Sequence, residues 1–229
     1  MKLLITGATG LVGKELVKKA LEQGMIIHYL TTHKSKTKTI IGARGFYWNP
    51  SSQEIDSSCF EGVDVIVHLA GATISKRWTA AYKKIILASR VDSTRLLENA
   101  LKKTKGKNRV KQIIGASALG IYSNDFKNIV TEETEVSSNS FLERVVIDWE
   151  AATAVFKTMN IKVTTLRIGL VIAVNGGVVA AMKTPILFGL GAAFGNGSQG
   201  QSWIHIKDLV GIILFAVTTK LEGIYNAVA

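Results

Sequence analysis

Glycines stand at positions 7, 10 and 13, directly after the apolar run Lys2–Ile5. Val12, Leu16, Val17, Ala20 and Leu21 then recur at helical spacing. Strand, glycine-rich turn and helix start, in that order, present backbone N–H groups and the positive end of a helix dipole, which together receive a pyrophosphate. Gly7 permits a tight turn, Gly10 lets the backbone approach a ligand, and Gly13 lets the helix lie close to the strand. The spacing is Gly-x-x-Gly-x-x-Gly, wider than the G-x-G-x-x-G fingerprint. The bland alternative is a structural turn with no ligand.

Other chemistry-bearing residues are fewer. The turn after the second apolar run, Met25–Leu30, reads Thr31-Thr32-His33-Lys34, with Lys36 and Lys38 following. A site for NAD places an Asp or Glu there to hold the ribose 2′-hydroxyl. Hydroxyls and lysines in its place favour NADP over NAD, with Thr32 and Lys34 as the candidate contacts; lysines that merely solvate a loop are the alternative. Lys76 and Arg77, on the loop after a fourth strand at Val63–Leu69, can polarise a substrate carbonyl or bind a carboxylate. His68 lies inside that apolar strand and reads as a hydrogen-bonded core residue rather than a base. His205 reads as packing or orienting its loop. Four histidines and one cysteine show no metal-ligand spacing, so no metal site is expected.

The elements that must carry these residues alternate. Short strands at Lys2–Ile5, Met25–Leu30, Gly45–Trp48, Val63–Leu69, Val110–Ala116 and Lys162–Ile168 are separated by helical patterns. The long helices run from about Thr79 to Leu101 and from about Ser140 to Met159. The second carries an apolar stripe of Val145, Trp149, Ala152, Phe156 and Met159. The pattern implies an α/β fold, a doubly wound, mainly parallel Rossmann-like sheet with ligand at the carboxyl ends of its strands. Residues 1–169 read as the NAD(P)-binding core. Residues 170–229, rich in glycine at 176, 177, 189, 191, 195, 197 and 200, read as a loop-rich substrate lobe that also supplies a last core helix, Ile206–Val217, and strand, Ile224–Val228. The chain stops just after that strand, so the C-terminal lobe is expected to be truncated.

At 229 residues and 47% hydrophobic, the chain can bury one sizeable core. No apolar run reaches the length of a membrane span, and the glycine turn follows the start too soon for a signal peptide. The lone Cys59 excludes disulfides within the chain and points to a reducing, cytoplasmic compartment. The net charge of +11, with lysines at 34, 36, 38, 102, 103, 105 and 107, reads first as a solvated basic surface. Nucleic acid is set aside because no aromatic residues interleave the lysines.

Seven ordered segments resemble the extended branch of the short-chain dehydrogenase/reductase superfamily, above all its atypical NAD(P)-dependent epimerase-like group. They are Ile5–Gly13, Val67–Ile74, Lys76–Thr79, Ser89–Thr94, Ala116–Tyr122, Leu166–Gly169 and Ser202–Asp208. The resemblance implies that Gly7, Thr9, Gly10, Leu11 and Val12 hold the diphosphate. It sets Leu69, Ala70 and Gly71 along the adenosine ribose and Arg167, Ile168 and Gly169 at the nicotinamide carboxamide. Ser117 matches the active-site serine that hydrogen-bonds the substrate oxygen. Where the family often has an arginine, this chain has Thr32. Relatives usually continue beyond a strand like Ile224–Val228. A homodimer through the two long helices is implied by analogy only.

One departure is central. In this superfamily a helical tyrosine, activated by a lysine one turn later, moves the proton that accompanies hydride transfer. No tyrosine here has lysine four positions on, and alignment on Trp149-Glu150-Ala151 puts Leu142 and Val146 in the pair's places. General acid–base help is typically worth about 10²–10⁴-fold, so its loss is severe without a substitute. Tyr122, five residues after Ser117, is the candidate donor, with a basic loop residue or water as alternatives. Two functions stay open: an NADP(H)-dependent oxidoreductase or epimerase-like enzyme of atypical mechanism acting on a small polar substrate, or a non-catalytic NADP(H)-binding redox-sensing module.

Overall fold

The structure, a computed structural model, describes residues 1–104, 108–122, 129–174, 176–191, 196–197 and 200–229. Lys105, Lys107 and Gly195, noted above in the sequence, lie outside the described residues. The strands are β1 (Lys2–Thr6), β2 (Ile26–Thr31), β3 (Ala43–Asn49), β4 (Glu54–Ile55), β5 (Val65–His68), β6 (Gln112–Ala118), β7 (Lys162–Ile168), β8 (Leu170–Ala173), β9 (Trp203–His205) and β10 (Gly223–Ala227). The helices are α1 (Leu11–Glu22), α2 (Ala80–Lys103), α3 (Phe141–Ala154), α4 (Gly177–Leu187) and α5 (Ile206–Thr219).

The main sheet runs β10-β7-β6-β5-β1-β2-β3-β4, parallel except where β4 turns back on β3. Alternation along β1 sends Leu3 and Ile5 to one face and Leu4 to the other. The first face is covered by α1 and α5, through Leu16, Val17, Ala20, Leu209, Val210 and Ile213. The second is covered by α2, through Leu97 and Leu101, and by Phe156 beyond α3. Every parallel strand ends at one edge. Strand order reverses between β1 and β5, which opens a crevice there between the loops that leave in opposite directions.

Helix starts are set locally. Thr79 caps α2 by accepting from the Tyr82 N–H (3.2 Å). Ser140 and Glu143 form a reciprocal capping box on α3 (2.8 and 3.2 Å). The far end of α3 differs from the sequence expectation: regular helix stops at Ala154, and Val155–Met159 tightens into a 3₁₀ turn that closes on Asn160 at φ 57°. Asparagine tolerates that left-handed conformation better than most residues.

The second difference is larger. Among the described residues of the glycine-rich stretch, β8 pairs in parallel with β9, and α4 packs beside β8. Pro185 and the flanking glycines hide α4 from a periodicity reading, and β8 finds its partner only across some thirty residues of chain. α5 and β10 complete the main core. Among the described residues no helix is long and apolar enough to cross a membrane.

Candidate functional site: a dinucleotide crevice and a buried ion pair

Gly7 takes φ +69°, and a Cβ there would lie 2.9 Å from the Leu69 carbonyl group across the crevice. At Gly13 a Cβ would sit 2.2 Å from the Gly7 carbonyl oxygen, so the turn and the first helical turn leave no room for a side chain. Gly10 differs: a Cβ would meet only the Gly7 oxygen, at 3.2 Å. Its glycine is not demanded by internal packing, and the space above it is where a ligand backbone approach would be used. Gly10 is also the N-cap of α1. No side chain caps that end and no acid stands in its first turn, so no side chain engages the first amide N–H groups and the positive end of the helix dipole is not neutralised locally. Thr9 and Gly10 are exposed, while Leu11 and Val12 are half-buried. Leu11 lies against Gly176 and Gly177, which brings the start of α4 beside this turn.

The β5 side of the crevice is fixed by a buried polar knot. Thr6 Oγ1 accepts the N–H groups of Leu69 (3.1 Å) and Ala70 (3.0 Å), so its own proton goes to His68 Nδ1 (2.7 Å). Thr94 and Ser93 donate to the carbonyls of Arg90 (2.6 Å) and Ser89 (2.7 Å). The remaining ring nitrogen, Nε2, must therefore donate to these hydroxyls (3.0 and 3.2 Å), and His68 is the neutral Nε2–H tautomer. It is a core residue, as its apolar setting suggested. Burial lowers its pKa from 6.5 to about 4.

That shift has a consequence for stability. Below pH 6.5 the unfolded chain takes a proton that native His68 refuses, so stability falls as the pH drops towards 4. Integrated over the window, the loss is about 3 kcal/mol. Urea melts between pH 7 and 4.5 check this. His68→Gln should be less stable at pH 7 yet show a flatter pH profile, and equal slopes for the two proteins would refute the assignment.

The turn after β2 leaves the edge beside the glycine turn, because β2 is the parallel neighbour of β1, with Leu30 opposite Thr6. Thr32, His33 and Lys34 are exposed. No Asp or Glu occurs anywhere between Glu22 and Glu54. On the β5–α2 loop Gly71 faces the Arg90 guanidinium, 3.2 Å from a Cβ built there. Lys76 and Arg77 are exposed, and their contacts are local: the Lys76 ammonium lies 5.6 Å from the Tyr82 ring centre.

Ser117, Tyr122 and Arg167 are brought together around Glu150 of α3. Ser117 Oγ donates to Glu150 Oε1 at 2.6 Å. Arg167 clamps the same carboxylate in bidentate fashion, Nε and Nη2 each at 2.9 Å. Its Nη1 donates to the Tyr122 hydroxyl (2.8 Å), which donates to Asn226 Oδ1 (2.8 Å). The pair is enclosed, with side-chain exposures of 5% for Arg167 and 13% for Glu150. Hydrogen bonding to Glu150 raises the Arg167 pKa against the cost of burial, so the cation is permanent. Ser117 and Tyr122 are themselves buried, and Val146 packs with Tyr122 and Ile121. An acid one turn beyond Val146 on α3, and an arginine in an otherwise uncharged stretch of β7, were the available signals. Gly169 is crowded by the Ser202 carbonyl, where β7 gives way to β8.

Cys59 is buried and desolvation pushes its thiol pKa up, which leaves it unreactive. Among the described residues no three His, Cys, Asp or Glu side chains cluster as metal ligands.

An open sheet with a glycine turn at its switch point, an uncapped and acid-free helix start above it, and space over Gly10 defines a dinucleotide-binding α/β protein of the Rossmann type, and these residues fit such a group. The chain belongs to the NAD dependent epimerase/dehydratase family, whose model matches residues 3–227. An epimerase family protein of Staphylococcus saprophyticus is 35% identical over 227 residues, covering 99% of this chain and 74% of the relative. A human epimerase family protein solved with NADPH superposes with a TM-score of 0.80 at 26% identity, covering all of this chain and 74% of that one. A nucleoside-diphosphate sugar epimerase from Corynebacterium glutamicum gives 0.82 at 33% identity, over all of this chain and 46% of that one.

Proposed function

We propose that this chain is an NADP(H)-dependent oxidoreductase or epimerase-like enzyme of atypical mechanism, acting on a small polar substrate. The observation that carries the reading is the Ser117–Glu150 hydrogen bond of 2.6 Å, held by Arg167 at the same sheet edge as the crevice. Gly7, Thr9, Gly10, Leu11 and Val12 hold the diphosphate, and Gly13 keeps the helix close enough for its N–H groups to reach it. Leu69, Ala70 and Gly71 line the adenosine ribose, and Thr32 and Lys34 meet its 2′-phosphate. The backbone of Arg167, Ile168 and Gly169 meets the carboxamide. A nicotinamide bound there supplies a hydride acceptor or donor.

The chain's own part is the proton. An ionised carboxylate only accepts hydrogen bonds, so Glu150 takes the Ser117 proton and leaves the serine oxygen as an acceptor. A substrate hydroxyl then gives its proton to Ser117 Oγ while the serine proton passes to Glu150. Tyr122, joined through Arg167, sets the far end of this network. Lys76 and Arg77 attract an anionic group of the substrate. The human relative solved with NADPH and the sugar-nucleotide epimerase support the cofactor and the substrate class to be tried first.

The test is calorimetric binding of NADPH and NADH, followed by cofactor turnover with a panel of sugar nucleotides and small carbonyl compounds. Tighter NADPH binding and slow but measurable turnover are expected. Tight binding with no hydride transfer to any panel member would overturn the enzymatic reading. One observation favours the redox-sensing alternative in that case: Ser117 and Tyr122 are only 3% and 7% exposed. A sensor would bind NADPH and NADP⁺ with unequal affinity.

A further inference from the structure

The lysine turn beside the crevice is held from beneath more firmly than a solvated loop requires. Tyr29, in β2, is fully buried, and its hydroxyl ends under residues 34–39. There it donates to the Lys36 carbonyl (2.7 Å) and accepts from the Thr39 N–H (3.2 Å), so both of its hydrogen-bonding roles go to the turn's backbone. Gly45 stands opposite Tyr29 on β3. A Cβ at Gly45 would lie 2.4 Å from the Tyr29 ring and 2.5 Å from the Thr37 carbonyl, so a glycine is what lets ring and turn occupy the same space. Thr37 and Thr39 hydroxyls tie the turn to itself through the Lys34 and Lys36 carbonyls (2.9 and 3.0 Å).

The side chains on top are also arranged. Lys34 Nζ lies 4.9 Å above the centre of the Tyr47 ring. Tyr47 is the register partner of Thr31, so that ring flanks the residue where the turn leaves β2. An aromatic face holds an ammonium without neutralising it, whereas a carboxylate would hold it and cancel its charge. Among the described residues none of Lys34, Lys36 and Lys38 pairs with a carboxylate.

We propose that Tyr29 and Tyr47 are positioning residues that hold the Lys34–Lys38 turn as a ready-made receptor for a phosphate monoester on the adenosine ribose. The proposal rests on the reading that the chain takes NADP(H). Tyr29 fixes the backbone through its hydroxyl. Tyr47 keeps the Lys34 charge beside the carboxyl end of β2, where the turn begins. The rigidity matters because a lysine already held in place loses less freedom when the phosphate arrives.

Calorimetry on the full chain with NADPH, NADH, 2′,5′-ADP and 5′-ADP tests this. Tyr29→Phe, Tyr47→Leu and Lys34→Ala should each weaken NADPH and 2′,5′-ADP by about tenfold and leave NADH and 5′-ADP within about twofold. Tyr47→Phe keeps the ring and should bind as wild type. Equal losses for all four ligands would show a merely structural role and overturn the proposal, as would no loss for any. Wild-type protein that binds NADPH and NADH equally would instead overturn the cofactor reading itself. Tyr47 is half-buried where Tyr29 is fully buried, so Tyr47→Leu keeps the test decisive should Tyr29→Phe melt early.

Discussion

Gly13→Ala should weaken dinucleotide binding by roughly a hundredfold or more, and Gly10→Ala should weaken it less while leaving the fold standing. The two glycines look alike in sequence and differ in what surrounds them. The Gly13 methyl would lie 2.2 Å from the Gly7 carbonyl oxygen and 2.7 Å from the Ala8 Cα, both backbone atoms that cannot swing aside. Relief requires the first turn of α1 to move away from the glycine turn, so the amide N–H groups no longer converge on one diphosphate. Hydrogen bonds to charged groups are worth about 1.5–3 kcal/mol each. Losing two of them weakens binding by roughly a hundredfold or more, and overpacking adds a stability cost of about 1–3 kcal/mol. The Gly10 methyl meets only one atom within 4 Å, the Gly7 oxygen at 3.2 Å, and so should leave the melting temperature almost unchanged. NADPH titrations of both variants, each with a thermal melt, check this. Unimpaired binding by Gly13→Ala would show that the turn does not hold the diphosphate.

The reason this turn was legible in sequence is that its constraints are local. Gly7, Gly10 and Gly13 sit within seven residues, and two of their constraints are set nearby: the φ of +69° at Gly7, and the Gly7 and Ala8 backbone against Gly13. The parallel sheet was legible for a similar reason, since buried strands such as Val65–His68 are short and wholly apolar apart from one residue. His68 stood out as that residue, but its partners Thr6 and Thr94 come from β1 and α2 and depend on how those elements pack. The 170–205 region was not legible because its order is tertiary. The Leu170 N–H finds the Ser202 carbonyl at 2.8 Å, and neither residue advertises the other. Glu150 was missed for a different reason. A search for tyrosine and lysine on α3 passes over a carboxylate, and its pairing with Arg167 exists only once α3 lies across β6 and β7. The turn at Lys34 looked like ordinary solvated charge, because the features that organise it are Tyr29 and Gly45 on the strands below.

Glu150 carries the other large effect, and it separates stability from chemistry. Glu150→Ala strands the Arg167 guanidinium, 5% exposed at the side chain, without its counter-charge. Breaking a buried pair from one side costs about 3–5 kcal/mol. For a chain of this size that lowers the melting temperature by roughly 10 °C. Replacing both partners, as in Glu150→Leu with Arg167→Met, removes the stranded charge and should recover most of that loss. It cannot recover turnover if the carboxylate is where the substrate proton goes. Ser117→Ala makes the complementary case, because it deletes one hydroxyl and leaves the ion pair intact. Its melt should stay near wild type, while turnover falls by about a hundredfold, the lower end of what positioned acid–base groups contribute. A double variant that regains both stability and turnover would reduce Glu150 and Arg167 to a structural clamp. Stability regained without turnover, alongside a stable and inactive Ser117→Ala, would tie the proton route to Ser117 of β6 and to Glu150 on α3, the helix where the tyrosine and lysine are missing.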